Sequence, residues 1–224
     1  MPIALFIWME PMLNLDNFGL KYNSDKIIFE AVNQHIDPNK ITLLTGTNGS
    51  GKTSLLRVLS GLHKKYSGDI SLDGENIRDL SVAEIADKMI YLKQEPQANL
   101  VAATPREDLN IWLHKFTESS IDENLILDAL KAFEMESMID TPIWKLSGGQ
   151  AKRIGLAALL LNKDKFWLLD EPTSGLDGKL QNKLLKILEE KKLNNSGALI
   201  VSHRLEIFSE LADEIYQIED RIIK

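Results

Sequence analysis

The eight residues from Gly46 to Thr53 limit the possible folds of this chain more than any other segment. They read Gly-Thr-Asn-Gly-Ser-Gly-Lys-Thr and match the pattern G-x-x-x-x-G-K-[ST] at every defined position, after an apolar run at 41–44 and before a helical run at 54–59. Backbone amides of such a loop, together with the N-terminus of the next helix, bind phosphate. A glycine-rich turn without a ligand is the alternative, which the complete match disfavours. The segment predicts a nucleoside triphosphate site, with Lys52 reaching the β- and γ-phosphates and the Thr53 hydroxyl on Mg²⁺.

Short apolar runs alternate with helical patterns along much of the chain. Four runs are almost wholly apolar, as in strands buried on both faces: 41–44, 89–92, 166–169 and 198–201. Between them, apolar residues recur at helical spacing over 125–133 and 180–188. This alternation predicts an α/β fold with a mainly parallel sheet covered on both faces.

Three further segments depart from that alternation. Two runs at 13–22 and 26–36 alternate apolar and polar residues and predict an antiparallel β subdomain at the start. Residues from about 95 to 147 contain helical segments and predict a mainly helical lobe inserted into the sheet domain. Residues 1–11 precede the first predicted strand. They are an extra contact strip, the result of a start assigned before Met12, or residues foreign to the natural protein, and we assign them no function.

Composition excludes several classes of function. The 26 lysines and arginines stand against 33 aspartates and glutamates, which gives a net charge of −7. An acidic chain lacks the positive field that nucleic acid or an anionic membrane attracts, so we expect no nucleic-acid partner. Without cysteine there is no disulfide, thiolate metal site or cysteine nucleophile. The apolar stretch at 2–9 is too short to span a bilayer, so any membrane role is expected to depend on a partner.

Two adjacent carboxylates end the apolar run at 166–169. An aspartate at the tip of a buried strand near a phosphate loop belongs to the metal shell, which predicts Asp170 as a Mg²⁺ ligand. Glu171 would then lie near the γ-phosphate, where a base orients or deprotonates water. The alternative is a solvated acidic turn. The apolar run and the phosphate loop favour the hydrolytic interpretation.

A second predicted anion site lies at residues 146–150, which read Leu-Ser-Gly-Gly-Gln before a long helical run. Ser147 is a favourable N-cap, and Gly148 and Gly149 leave backbone amides uncovered at a helix N-terminus. This motif matches the signature sequence of ATP-binding cassette (ABC) transporters letter for letter. The chain resembles their ATP-binding subunit from about residue 13 to 223. The resemblance implies a P-loop NTPase fold with a RecA-like core, extending over residues 12–224, and hydrolysis of ATP with Mg²⁺.

The resemblance also implies roles for individual residues. Tyr22 matches the aromatic that stacks on adenine, Gln94 matches the glutamine that touches Mg²⁺ and senses the membrane partner, and His203 matches the histidine that contacts the γ-phosphate. The predicted catalytic residues are Glu171, Gln94 and His203. The predicted Mg²⁺ ligands are Thr53, Gln94 and Asp170. The predicted ATP-binding residues are Tyr22, Gly46, Thr47, Asn48, Gly49, Ser50, Gly51, Lys52, Thr53 and Ser54.

A head-to-tail dimer is a further implication of the resemblance. Each ATP would lie between the phosphate loop of one subunit and the signature of the other, and the partner ATPase is either identical or a paralogue. The residues predicted to act in trans are Leu146, Ser147, Gly148, Gly149, Gln150 and Asp177. Integral membrane subunits are the other expected partners, which implies a peripheral position on the cytoplasmic face of the cell membrane.

The stretch at 94–109 resembles that of energy-coupling factor importers and related cobalt and nickel uptake systems, although Asn99 replaces a glutamine and Pro105 a valine. This likeness implies import of a vitamin or a metal ion. A soluble ABC ATPase acting on ribosomes or DNA is the first alternative; the single cassette, the absence of sustained heptads and the acidic charge disfavour it. A regulatory module that only binds nucleotide is the second, and the intact catalytic set disfavours it.

Overall fold

The computed structural model describes residues 13–22, 26–113 and 123–224. The strands are β1 Leu13–Lys21, β2 Ile27–Ile36, β3 Ile41–Gly46, β4 Ser67–Leu72, β5 Glu75–Asn76, β6 Met89–Leu92, β7 Phe166–Asp170, β8 Ala198–Val201, β9 Glu214–Glu219 and β10 Ile222–Ile223. The helices are α1 Lys52–Leu59, α2 Val82–Lys88, α3 Pro105–Leu113, α4 Glu123–Ala132, α5 Gly148–Leu160, α6 Gly178–Leu193 and α7 Leu205–Phe208.

The central sheet has the order β10-β9-β3-β8-β7-β6 among the described strands, and all neighbours except β10 and β9 run parallel. Along the inner strands, successive side chains lie on opposite faces of the sheet and belong to two different hydrophobic cores. Trp167 and Leu169 pack with the helical lobe, whereas Phe166 and Leu168 pack with α1 and the antiparallel sheet. Burial on both faces explains why these strands are continuously apolar in sequence.

A second, antiparallel sheet covers one face of the central sheet. In the described part of the chain its order is β2-β1-β4-β5, and Leu13 pairs with Ile36 on one side and with Leu72 on the other. The predicted hairpin of β1 and β2 is therefore present. Sequence analysis missed β4 and β5, which are short and largely exposed on one side.

Between β6 and β7 the described residues form only α-helices and short 3-10 turns. Helices α3 and α4 pack on α5, the helix that follows the signature motif. The predicted fold class, with a mainly parallel sheet, an antiparallel subdomain and a helical lobe between strands, is confirmed. The boundary between residues 1–11 and a domain from residue 12 lies outside the described residues and stays a prediction. Over the described ranges, no helix combines the length and hydropathy needed to cross a bilayer.

Candidate functional site

The predicted phosphate loop lies between the end of β3 and the start of α1. Gly51, the N-cap of α1, has a φ of 112°, and a Cβ there would lie 2.4 Å from Ile28 Cγ2. Gly49 has a φ of 80°, with open space where its Cβ would be. Both positions require a conformation that other residues rarely adopt, but only Gly51 is also packed tightly against β2. The loop therefore curves with its backbone close to the antiparallel sheet.

Lys52 starts α1 with its ammonium turned back into this loop. Its Nζ donates hydrogen bonds to the carbonyl oxygens of Gly46, at 2.7 Å, and Thr47, at 2.9 Å. Burial lowers the pKa of Lys52, and the nearby carboxylates of Glu171 and Asp170 oppose that shift. The cation thus lies where the phosphates of a bound nucleotide would enter, held by weak carbonyl partners that a phosphate can replace.

Asp170 ends β7 and is buried next to the first turn of α1. The Thr53 hydroxyl lies close to its carboxyl, and its Oδ2 accepts a hydrogen bond from the Tyr91 hydroxyl at 3.3 Å. Burial raises the pKa of the Asp170 carboxyl, and these two hydroxyls lower it. A carboxylate and a hydroxyl in contact supply the hard oxygen atoms that Mg²⁺ prefers.

Glu171 is buried and held on several sides by the end of β8. Its Oε1 accepts hydrogen bonds from the backbone N–H of His203, at 3.0 Å, and from the ring Nδ1 of His203, at 2.9 Å. Its Oε2 accepts one from the Ser202 hydroxyl at 3.2 Å. The backbone φ of Glu171 is 46°, in the left-handed region that costs a non-glycine residue about 1–2 kcal/mol. A carboxylate fixed in this way is suited to orient a water molecule.

Gln94 follows β6 in a loop that Asn99 stabilises from inside. The buried Asn99 side chain accepts a hydrogen bond from the Lys93 backbone N–H at 2.8 Å and donates to the carbonyls of Lys93 and Glu95. Asn99, identified in the sequence as a departure from the importer pattern, is thus a structural residue that shapes the Gln94 loop.

The signature motif caps the N-terminus of α5. The Ser147 hydroxyl accepts from the Gln150 N–H at 3.2 Å, and Gln150 Oε1 accepts from the Ser147 N–H at 2.8 Å, which completes a capping box. Around Gly149 the space is open, and a Cβ on Gly148 would meet only the Gln97 amide, at 4.0 Å. No neighbouring side chain therefore covers the two glycines at the start of α5, and the binding of an anion to its first amides stays a prediction.

Two adjoining clefts bring most of the predicted site residues together. The smaller, about 500 Å³, joins loop residues with Asp170, Glu171 and His203. The larger, about 800 Å³, shares Tyr22, Thr53, Gln94 and Asp170 with it and extends to Gly148 and Gly149. The start of α5 thus borders the same open surface as the phosphate loop.

Other predicted residues lie outside these two clefts. Leu146 is buried in the core of the lobe. Asp177 is the N-cap of α6, where its Oδ1 accepts from the Leu180 N–H at 2.9 Å. In this chain both have structural roles, and their roles in trans stay predictions.

Sequence analysis missed three residues that hydrogen-bond to Asp170 or Glu171. Tyr91 contacts Asp170, Ser202 contacts Glu171, and the buried Lys152 donates from Nζ to the Glu171 carbonyl at 3.1 Å. Burial lowers the pKa of Lys152 to about 8. Lys152 shares a face of α5 with buried apolar residues. A lysine at an apolar position of the helical pattern was therefore the feature of the sequence that could have indicated its role.

A family model described as ABC transporter matches residues 29–174 of this chain. The chain belongs to the ABC transporter family. The petrobactin import ATP-binding protein FpuD of Bacillus anthracis is 33% identical over 222 residues, covering 96% of this chain and 80% of the relative. The energy-coupling factor transporter ATP-binding protein EcfA1 of Thermotoga maritima is 32% identical over 205 residues, covering 89% and 75%. The solved structure of CbiO1 from Clostridium perfringens, part of the ABC transporter complex CbiONQ, has a TM-score of 0.76 at 26% identity and covers 96% of this chain and 88% of its own.

Membership of the ABC family makes this chain an ATPase that uses ATP and Mg²⁺. The residues fit both groups. Thr53, Asp170 and Gln94 line the same cleft and offer hydroxyl, carboxylate and amide oxygens. Among the described residues, His, Asp and Glu side chains do not gather in threes around one metal position. The individual roles of the site residues remain predictions.

Proposed function

We propose that this ABC ATPase powers the import of a small solute through partner membrane subunits, as one of two cassettes that close around ATP. The observation that carries the proposal is the accessible N-terminus of α5 on the same surface as a complete phosphate loop. Each chain then has two anion sites, the phosphate loop and the N-terminus of α5. An ATP bound at the phosphate loop has no further phosphate to offer to the second site of the same chain. A second cassette, identical or a paralogue, supplies the missing pairing.

Hydrolysis in this proposal depends on the clamped carboxylate. Lys52 and the loop amides bind the phosphates, and Mg²⁺, held by Thr53 and Asp170 with Gln94 nearby, would neutralise part of their charge. Glu171 orients the attacking water and accepts its proton. His203 keeps Glu171 in place through Nδ1, so its role includes positioning this base in addition to the phosphate contact expected from sequence.

Closure and opening follow from the charge on ATP. The γ-phosphate attracts the amides at Gly148 and Gly149 of the second cassette as well as Lys52 of the first, so the closed state is stabilised only while ATP is intact. After hydrolysis that bridge is lost and the cassettes separate. Membrane subunits bound to the helical lobe would convert this cycle into transport, with the chain held peripherally at the cytoplasmic face of the membrane.

Import is the direction that the relatives favour. FpuD is named for petrobactin import and EcfA1 for an energy-coupling factor transporter, and CbiO1 belongs to the complex CbiONQ. The importer-like stretch at 94–109 favours a vitamin or a transition-metal ion as the solute, and the likeness to FpuD adds a metal chelate. We propose these three as the solute class. The chain's own clefts carry the nucleotide site, and the solute would contact other subunits.

The dimer is tested with a variant that binds ATP without hydrolysing it. Glu171→Gln should lower kcat about 10²- to 10⁴-fold and should form a stable dimer with Mg·ATP in size-exclusion chromatography with light scattering. Adding Ser147→Arg should abolish this dimer while ATP binding to the monomer is retained. Ser81 caps α2 with an equivalent capping box away from the clefts, so Ser81→Arg is the matched control and should leave the dimer intact. A dimer that survives Ser147→Arg would contradict the trans arrangement.

The transport role needs a separate experiment. The tagged chain should purify from detergent-solubilised membranes of its native cells with multi-span subunits, identified by mass spectrometry, and the isolated complex should hydrolyse ATP faster when it is reconstituted in vesicles with its solute. Recovery with ribosomes or DNA instead of membrane subunits would overturn the transport proposal and leave the ATPase activity unaffected.

A further inference from the structure

The buried lysine of α5 bonds to the backbone of the hydrolytic glutamate and also lines the inner wall of the larger cleft. Lys152 is 1% exposed, and its Nζ donates a hydrogen bond to the backbone carbonyl of Glu171 at 3.1 Å. A buried ammonium is costly unless it is hydrogen-bonded and near opposite charge. Here the carboxylates of Asp170 and Glu171 supply that charge. The hydrogen bond and this pair of acids together offset part of the cost of burying the ammonium.

Glu171 needs support at its backbone because its φ of 46° is unfavourable for a side chain with a Cβ. The support comes from two directions. On one side, its N–H donates to the Val201 carbonyl of β8 at 2.9 Å. On the other, its own carbonyl accepts from Lys152 Nζ at 3.1 Å and from the Ser174 N–H at 3.2 Å. Such a conformation persists only when the surroundings hold it. Removal of the Lys152 bond would leave only the turn hydrogen bond from Ser174 on this carbonyl, so the strained peptide could shift and change the angle at which the carboxylate meets the water.

Lys152 also joins the hydrolytic carboxylate to the signature helix. It lies five residues after Ser147 on α5, about 7.5 Å along the helix axis at a rise of 1.5 Å per residue. A shift of the α5 N-terminus therefore acts on the Glu171 backbone through one and a half turns of rigid helix and a single hydrogen bond. Phosphate binding, by contrast, depends on the loop and on α1, which Lys152 does not hold.

We propose that Lys152 is a positioning residue for ATP hydrolysis, which holds Glu171 in its active conformation and connects it to the signature end of α5. The positioning of Glu171 depends only on ATP hydrolysis by this chain. The connection to the signature end of α5 rests on the proposed function, because that end would contact the ATP that belongs to the other cassette of the dimer. Lys152 would then let occupancy of one nucleotide site adjust the carboxylate of the other.

The test separates catalysis from binding and from stability. Lys152→Met keeps the length of the side chain and removes the donor, whereas Lys152→Arg and Lys152→Gln keep donors. For Lys152→Met we expect a kcat about 10- to 100-fold lower, as for loss of one hydrogen bond to a charged group, with the Kd for Mg·ATP, measured by fluorescent-nucleotide titration, within about twofold of wild type. At least one donor variant should recover a substantial part of kcat.

A second buried lysine provides the control. Lys191 is also buried and also donates to backbone carbonyls, those of Lys163 and Lys165, but at the opposite end of β7. Lys191→Met should lower the melting temperature and leave kcat unchanged at a temperature where the variant is folded. If Lys152→Met does not fold, the comparison of Lys152→Arg and Lys152→Gln with Lys191→Met decides the question, because a positioning role predicts a lower kcat for at least one of them.

The outcomes distinguish this inference from the dimer proposal. A wild-type kcat in folded Lys152→Met, or in both donor variants when Lys152→Met does not fold, would overturn it. Equal loss of kcat in the Lys191 control would also overturn it, since the effect would then be general destabilisation. With Mg·ATP, Lys152→Met should form the same stable dimer as Glu171→Gln. If neither variant dimerises but Lys152→Met still has the lower kcat, the positioning role stands and only the link between two cassettes fails.

Discussion

Gly51 and Gly49 differ in one respect that makes their alanine variants a sharp test of the phosphate loop. Both have positive φ, but a Cβ on Gly51 would lie 2.4 Å from Ile28 Cγ2 and 2.9 Å from Phe29 Cε2, whereas on Gly49 it would meet nothing within 4 Å. Gly49→Ala should therefore destabilise only through backbone strain, by about 1–2 kcal/mol. Gly51→Ala adds overpacking of about 1–3 kcal/mol to a similar strain, which gives about 2–5 kcal/mol in total.

The assay is urea unfolding without nucleotide, followed by circular dichroism, with the free energy of unfolding taken from the midpoint and a shared slope. Gly51→Ala should shift the midpoint further than Gly49→Ala, by the equivalent of about 1–3 kcal/mol. Because α1 must move away from β2 to relieve the clash, Gly51→Ala should also bind ATP more weakly than Gly49→Ala does. Equal shifts in the two variants would refute the reasoning, since the close approach of the loop to β2 would then carry no energy.

Three further predictions concern the site and the core. Lys52→Ala should abolish ATP binding in equilibrium titration, because it removes the only cation placed within the loop among the described residues; normal turnover would mean that the phosphate loop is misplaced. Tyr22→Phe should leave ATP affinity nearly unchanged although it loses the bond to the Ser54 hydroxyl, whereas Tyr22→Ala should weaken binding about 2- to 10-fold through loss of ring stacking; equal effects would argue against stacking. Burial lowers the pKa of Lys191 from 10.5 to about 7, so between these values the unfolded chain binds more protons than the folded one and the free energy of unfolding rises with pH. From pH 7 to 9 the rise in wild type should exceed that in Lys191→Met by about 1–2 kcal/mol, and parallel pH profiles in urea unfolding would contradict it.

The parts of the site that the sequence predicted are those that contiguous residues encode. The phosphate loop, the acidic end of β7 and the Ser147 cap each depend on a few neighbouring side chains whose chemistry is local. The importer-like stretch was less informative, because Asn99 proved to hold the Gln94 loop together through its own hydrogen bonds. Strands β4 and β5 were missed because short, half-exposed segments carry little periodicity.

The chain by itself determined that a phosphate-binding type of loop lies between a buried strand and a helix, because apolar runs and glycines act over a few residues. Only the tertiary structure decided what surrounds Glu171. His203 lies 32 residues away in the chain and Lys152 lies 19 away, on elements that meet Glu171 through the order of β7 and β8 and the packing of α5. No local period encodes that meeting, since it depends on which strands pair and in which register. The sequence predicts Glu171 as the base, and the orientation of its side chain follows from the fold.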